Sequence, residues 1–181
     1  MIRALILLLL LPVSALAEPR PPTGLLRNDS ALPATIPLQV RAPEGQDQAV
    51  ILTDVQGRPV ISGYLRGGSA LRLLVPPGDH HLTVVSGPAS DWRGLDEVFG
   101  PDTQAVALPQ ALRFRIEDNR REGHSITLIR DGSSLRLTDR QDRVICQVAR
   151  WDLRRKEEIT SAGTRLRWLD PQLEVRSRPC D

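Results

Sequence analysis

Residues 48–85 read QAVILTDVQGRPVISGYLRGGSALRLLVPPGDHHLTVV, and this stretch decides the fold. QAVILTDV is a β-rich run, and Gln56-Gly57-Arg58-Pro59 is a turn with its glycine placed for positive φ. VISGYLR supplies a second strand, closed by Gly67-Gly68. In ALRLLV the side chains of Leu71, Leu73 and Val75 fall on one face and Arg72 on the other. Pro76-Pro77-Gly78 breaks the chain, after which His80, Leu82 and Val84 share a face. Downstream, LRFRI places Leu112, Phe114 and Ile116 inward with Arg113 and Arg115 outward, and HSITLIR follows. Asp131-Gly132 is a hairpin signal ahead of SLRLT. Short alternating strands separated by turns predict an all-β protein, a β-sandwich of short antiparallel strands over residues 48–130.

Outward from this core the pattern weakens. RVICQVARW (143–151) is strand-like, and LRRKEEI (153–159) either continues it as a charged edge or forms a brief helix. TRLRWLD and LEVRS read as two more strands, with Leu166 and Trp168 opposite in face to Arg165 and Arg167. Residues 131–181 are therefore expected to be a β-rich extension packed on the sandwich, a separate subdomain being the alternative. On the N-terminal side, residues 18–47 form a proline-rich leader whose EPRPPTG start is expected to be extended and mobile. A short strand at 36–41 is restricted by Pro37 to a sheet edge.

The chain begins MIRALILLLLLPVSALAEPR. Arg3 is followed by an apolar stretch at 4–11, then Pro12 and the small-residue site Ala15-Leu16-Ala17, the plan of a secretory signal peptide over residues 1–17. The stretch falls well short of the roughly 20 apolar residues a membrane span needs, and no later run is longer. A soluble protein, periplasmic or secreted from a bacterium, is expected after cleavage. The 24 Lys+Arg nearly cancel the 22 Asp+Glu, giving no electrostatic case for nucleic acid. Aromatics make up 3% of the chain, so the core must rest on Leu, Val and Ile. Cys146 and Cys180, the two cysteines, are expected to form a disulfide in an oxidising compartment, with Cys146 pointing inward beside Val144 and Val148. There is no CxxC redox pair.

The run TDVQGRPV…VPPGDHHLTVV resembles the repeat unit of transthyretin-like, carboxypeptidase-regulatory-like sandwiches, a mark of fold that carries no activity. A closer resemblance is to a group of bacterial exported or envelope domains of unknown function. It rests on Leu65-Arg66-Gly67-Gly68, Val75-Pro76-Pro77-Gly78, Ser86-Gly87, Trp92-Arg93-Gly94, the F-G-P-x-T element Phe99-Gly100-Pro101-Asp102-Thr103, and Gly123-His124-Ser125-Ile126-Thr127-Leu128. It covers residues 50–130, with His80 and His124 where the group has tyrosines. The resemblance implies a transthyretin-like or immunoglobulin-like sandwich and no ligand, cofactor or catalytic residue.

Chemistry-bearing clusters are sparse. Adjacent His80 and His81 point to opposite faces of a strand and cannot share an ion, so no metal ligand set is assigned. Ser69 and Ser86 lack a G-x-S-x-G elbow. Asp91, Asp96, Glu97 and Asp102 sit in one long connection, 87–111, which also carries Trp92, Arg93 and Phe99. Loops of such length commonly carry function or local structure. Trp92, Arg93, Asp96, Phe99 and Asp102 are thus the candidate binding residues, with Trp92 and Phe99 as end plugs of the sandwich being the competing role. The expected function is a noncatalytic exported binding or assembly module of the cell envelope, its partner an envelope protein or glycan. The alternative is an envelope hydrolase of carbohydrate or peptide using the loop carboxylates. No catalytic residue or cofactor is assigned. Intact-mass measurement of the exported protein should give a chain starting at Glu18; retention of residues 1–17 would refute the cleavage site.

Overall fold

The computed structural model describes residues 19–132 and 134–180; the expected signal peptide lies outside the described residues. The chain is all-β. β1 (Gly24–Asn28), β4 (Pro59–Leu65), β3 (Asp47–Thr53), β6 (Gly78–Gly87) and β7 (Gln104–Ala107) form one sheet in that order. β5 (Ala70–Val75), β2 (Ile36–Arg41), β9 (Arg120–Asp131), β10 (Ser134–Ile159) and β11 (Arg165–Pro179) form the other, with β8 (Leu112–Glu117) beside the start of β9. The sheets are joined where Gly78, Asp79 and His80 of β6 pair with Phe114, Arg113 and Leu112 of β8. This nearly closes the whole into a barrel-like sandwich. Among the described residues every pairing is antiparallel except β2 with β9.

The alternation read from the sequence points the expected residues inward. Leu71, Leu73 and Val75 of β5, and His80, Leu82 and Val84 of β6, are buried with Ile36, Leu38, Leu52, Phe114 and Ile126. His81 is exposed, as strand parity requires. Gly57 has φ +80° in its turn, where Asp54 accepts the backbone N–H groups of Gln56 and Arg58. A second cluster holds Ala49, Tyr64, Val85, Trp92 and Phe99.

Several expectations are corrected. Ile116 is exposed because β8 runs past the core into its hairpin with β9. β2 lies between β5 and β9 rather than at an edge. Pro37 is tolerated because pairing with β9 begins only at Leu38, and its carbonyl lies against Gly123, where any side chain would collide with it. The proline-rich leader contributes β1 to a sheet, and Arg20 is anchored on Asp47. The long connection contains β7.

The largest difference lies at the C-terminus. SLRLT, RVICQVARW and LRRKEEI form one continuous strand, β10, of 26 residues. Its first part pairs with β9, and Leu135 and Leu137 pack on the core. From Ile145↔Pro179 to Ile159↔Arg165 it pairs with β11 in unbroken register, and beyond Cys146 β11 is its one strand partner among the described residues. Among the described residues none after Leu128 is buried. Cys146 is half-buried because it sits at the last pair of β10 with β9, at the margin of the sandwich. Cys146 and Cys180 are bonded and tie the hairpin's base, closing a loop with a sequence separation of 34. On the chain-entropy account a loop of that size stabilises by roughly 3–4 kcal/mol.

Phe99 lies on the backbone of Gly87, where any side chain would collide with its ring. Trp92 meets Phe99 and Tyr64 at ring-centroid distances of 5.3 and 4.8 Å in edge-to-face geometry. Truncation of either buried ring, Trp92→Ala or Phe99→Ala, should cost about 3–5 kcal/mol in urea unfolding. A loss under about 1 kcal/mol would show that the rings are not core.

Candidate functional site: the Trp92 loop and the C-terminal hairpin

The structure places the candidate binding residues in two environments. Trp92 and Phe99 are 2% and 1% exposed and face the second core cluster, so their rings hold the loop in place. Arg93, Asp96 and Asp102 are on the surface. Two short 3₁₀ turns, Ala89–Asp91 and Gly100–Asp102, shape the loop, and Val98 is held at φ 46° between backbone bonds to Gly94 and Arg93. A β-branched residue in that region is strained by about 1–3 kcal/mol. Beside the loop an open groove of about 640 Å³ is lined by Pro19, Arg20, Leu26, Trp92, Arg93 and Asp96. The loop carboxylates do not converge: Asp91 accepts from Ser90, and Glu97 lies 3.8 Å from Arg93.

Below the groove lies the one buried carboxylate among the described residues, Asp47. It accepts from Arg20 Nε and Nη2 (2.7 and 2.8 Å), Tyr64 Oη–H (2.6 Å) and Gly67 N–H (3.0 Å). Burial pushes its pKa up, but these donors outweigh burial and hold it below the ordinary carboxylate value. Tyr64 is pushed well above its usual phenol value, by burial first and then by the Asp47 acceptor. The arrangement is a structural clamp with every Asp47 partner supplied from within the chain.

Two histidines are also buried. His80 Nε2 bonds the Pro76 carbonyl at 3.1 Å and its ring lies 5.7 Å from Phe114. His124 Nε2 donates to the Arg113 carbonyl at 2.9 Å, which fixes that nitrogen as protonated, and Nδ1 lies 3.1 Å from Asp142. Burial pushes the His124 imidazole below its ordinary pKa, against the opposing pull of its two acceptors. No group of three or more His, Cys, Asp or Glu among the described residues could hold a metal ion.

The feature that stands out was not singled out from sequence. In the β10–β11 hairpin, directly paired residues share a face. One face carries Arg150, Asp152, Arg154, Lys156, Asp170 and Glu174 together with Val148, Leu166 and Trp168, with ion pairs Arg154–Asp152 (3.1 Å) along β10 and Lys156–Asp170 (2.6 Å) between the strands. The other carries the apolar pairs Ala149↔Val175, Trp151↔Leu173 and Leu153↔Pro171, followed by Leu169. Trp151, Leu153, Leu169, Leu173 and Val175 are 65, 58, 55, 52 and 54% exposed. A solvated antiparallel face ordinarily reads polar, and this one does not. The signal was present as period-two alternation at Ala149, Trp151 and Leu153. It was obscured because nothing local shows that the strand has left its sandwich.

Among the described residues no helix is long and apolar enough to cross a membrane. The chain matches no protein-family model, no curated protein and no solved structure. Its function must therefore be argued from its own surface.

The clamp gives a direct test. A carboxyl whose folded pKa is depressed contributes stability that is present above its unfolded value, near pH 4, and lost as pH falls through the lower folded value. The thermal midpoint of the wild type should fall more steeply below about pH 4 than that of Asp47→Asn. Tyr64→Phe, which removes one donor to that carboxylate, should cost about 1.5–3 kcal/mol at neutral pH. Parallel pH profiles for wild type and Asp47→Asn would refute the assignment.

Proposed function

We propose that this protein is a noncatalytic exported module of the bacterial cell envelope, working by binding or assembly. The observation that carries this reading is the exposed apolar stripe on the β10–β11 hairpin. A surface of that chemistry fits a protein partner better than a glycan, which would ask for hydrogen-bonding side chains beside an aromatic platform. The Cys146–Cys180 bond supports a working life in an oxidising compartment. It also ties the hairpin's base, where β10 and β11 meet the sandwich. The exposed Arg93, Asp96 and Asp102 form a second, polar surface at the Trp92 loop, which the buried rings hold rigid.

Immobilised mature protein should retain an envelope component from detergent-solubilised extract. Trp151→Asp should abolish that retention while leaving the thermal midpoint of the sandwich within about 2 °C, because the residue supports no core. Retention undiminished by Trp151→Asp would refute the role of this face.

A further inference from the structure

We infer that the apolar face of the hairpin is covered by the same face of a second copy of this chain, packed antiparallel about a twofold axis through the Trp151↔Leu173 pair. This rests on the reading of that face as the interaction surface and adds its occupant.

The chain's own sandwich cannot cover the stripe. β10 runs without a register shift from Asp139 onward, so facing can be followed along it. Asp142 pairs with core-facing His124, and the even-numbered residues of β10 continue that side. The apolar residues are odd-numbered and continue the opposite side, that of Gln141, Ser125 and Gln39. The stripe therefore lies on the outer surface of its sheet. A lone two-stranded ribbon is marginal in water and needs a third strand or an opposing layer. Beyond Gln147 the hairpin has neither among the described residues.

The order of the pairs is self-complementary. A twofold axis through Trp151↔Leu173, lying across the strands, sets Trp151 against its counterpart. It places Leu153 over Ala149 and Pro171 over Val175, large against small. One step out, Arg155 of one copy falls over Gln147 of the other and Leu169 over Ser177, a guanidinium on its aliphatic stem against an amide and an apolar side chain against a small hydroxyl. Charge selects this arrangement over the parallel one. The tip of the same face carries Arg155, Arg165 and Arg167 against a single acid, Glu157, which already pairs with Arg165 and Arg167 at 2.9 Å. Parallel stacking would superpose the two cationic tips; the antiparallel one puts them at opposite ends.

The area is also sufficient. The five exposed apolar side chains leave on the order of 500 Å² uncovered per hairpin. Two faces together bury roughly 1,000 Å², reaching the range of specific interfaces, about 1,200–2,000 Å², once the polar flanking pairs are included. An apolar centre with a charged rim is the usual anatomy of such contacts.

The test uses the mature, oxidised full chain in sedimentation velocity from about 1 to 200 μM. A dimer is expected that Trp151→Asp converts to monomer, while Arg150→Ala, on the opposite face, leaves it intact. Leu173→Cys, at the axis, should be joined by a short bismaleimide into a covalent dimer of the same sedimentation coefficient, and Arg150→Cys should not; the facing sheets are about 10 Å apart, too distant for a direct disulfide. Circular dichroism of each variant checks that the sandwich is folded. A wild-type chain that stays monomeric, a dimer that survives Trp151→Asp, or cross-linking at position 150 and not at 173 would each overturn the inference. A monomer that still retains an envelope protein through Trp151 would sink the second copy as occupant and leave the proposed function standing. A monomer that instead floats with phospholipid vesicles would assign the face to a lipid surface.

Discussion

A single buried carboxylate ties the sandwich together. Asp47 opens β3, and its donors come from the leader (Arg20), the end of β4 (Tyr64) and the turn beyond it (Gly67). Removing a carboxylate from water is costly unless its oxygens are paired, so these segments must be in place together. The Tyr64 ring that donates to Asp47 also meets Trp92 at 4.8 Å, and Trp92 meets Phe99. The position of the 87–111 loop is thus set from the same carboxylate, through hydrogen bonds and then ring contacts. Arg20 stands in the proline-rich leader, so that segment takes part in the fold through the clamp.

The other end of the molecule obeys a different balance. The sandwich buries two faces, fills them with Leu, Val and Ile, and closes its sheets through the β6–β8 pairing. The hairpin buries neither face. Its cohesion rests on the β10–β11 ladder, the disulfide at its base and ion pairs across its charged side. Surface ion pairs contribute on the order of 0–1 kcal/mol each, and conformational entropy works against every ordered residue. A ribbon of this length is favoured only when something lies on its apolar side. The disulfide restrains the base, but it covers no surface.

What could be read from the sequence divides along the same line. Where two layers oppose each other, period-two alternation is a sufficient guide. Leu71, Leu73 and Val75 are inward because another sheet faces them, and so are His80, Leu82 and Val84. The same alternation at Leu112, Phe114 and Ile116 fails at its last member, because facing is a property of the partner layer and that layer ends at Phe114. The length of β10 was hidden for a related reason: the charged residues 154–158 interrupt hydrophobicity without interrupting the strand. The clamp was invisible because Arg20 and Asp47 are separated by 27 positions with no local pattern linking them. Trp92 and Phe99 have the composition of a hot spot and of a plug alike; only the close approach of Phe99 to Gly87 decides for burial.

The manner in which the hairpin's other surfaces are protected sharpens the reading of its apolar face. Exposed strand edges invite further pairing, and proteins blunt them with proline and charge. β11 carries Pro171 and Pro179 with Arg165, Arg167, Arg176 and Arg178, a poor template for continuous edge-to-edge growth. The charged face is satisfied by its own ion pairs, so a partner docking there would have to displace contacts already made. Short of its tip, along Trp151, Leu153, Leu173 and Val175, the remaining face has no such protection, although one aspartate or lysine at position 151 or 173 would supply it. A chain that guards its edges and lines one face with ion pairs, while leaving the contiguous stripe of Trp151, Leu153, Leu173 and Val175 open, favours association on that side. Association through that side, limited by charged residues at the hairpin tip, yields a closed pair and not a fibre.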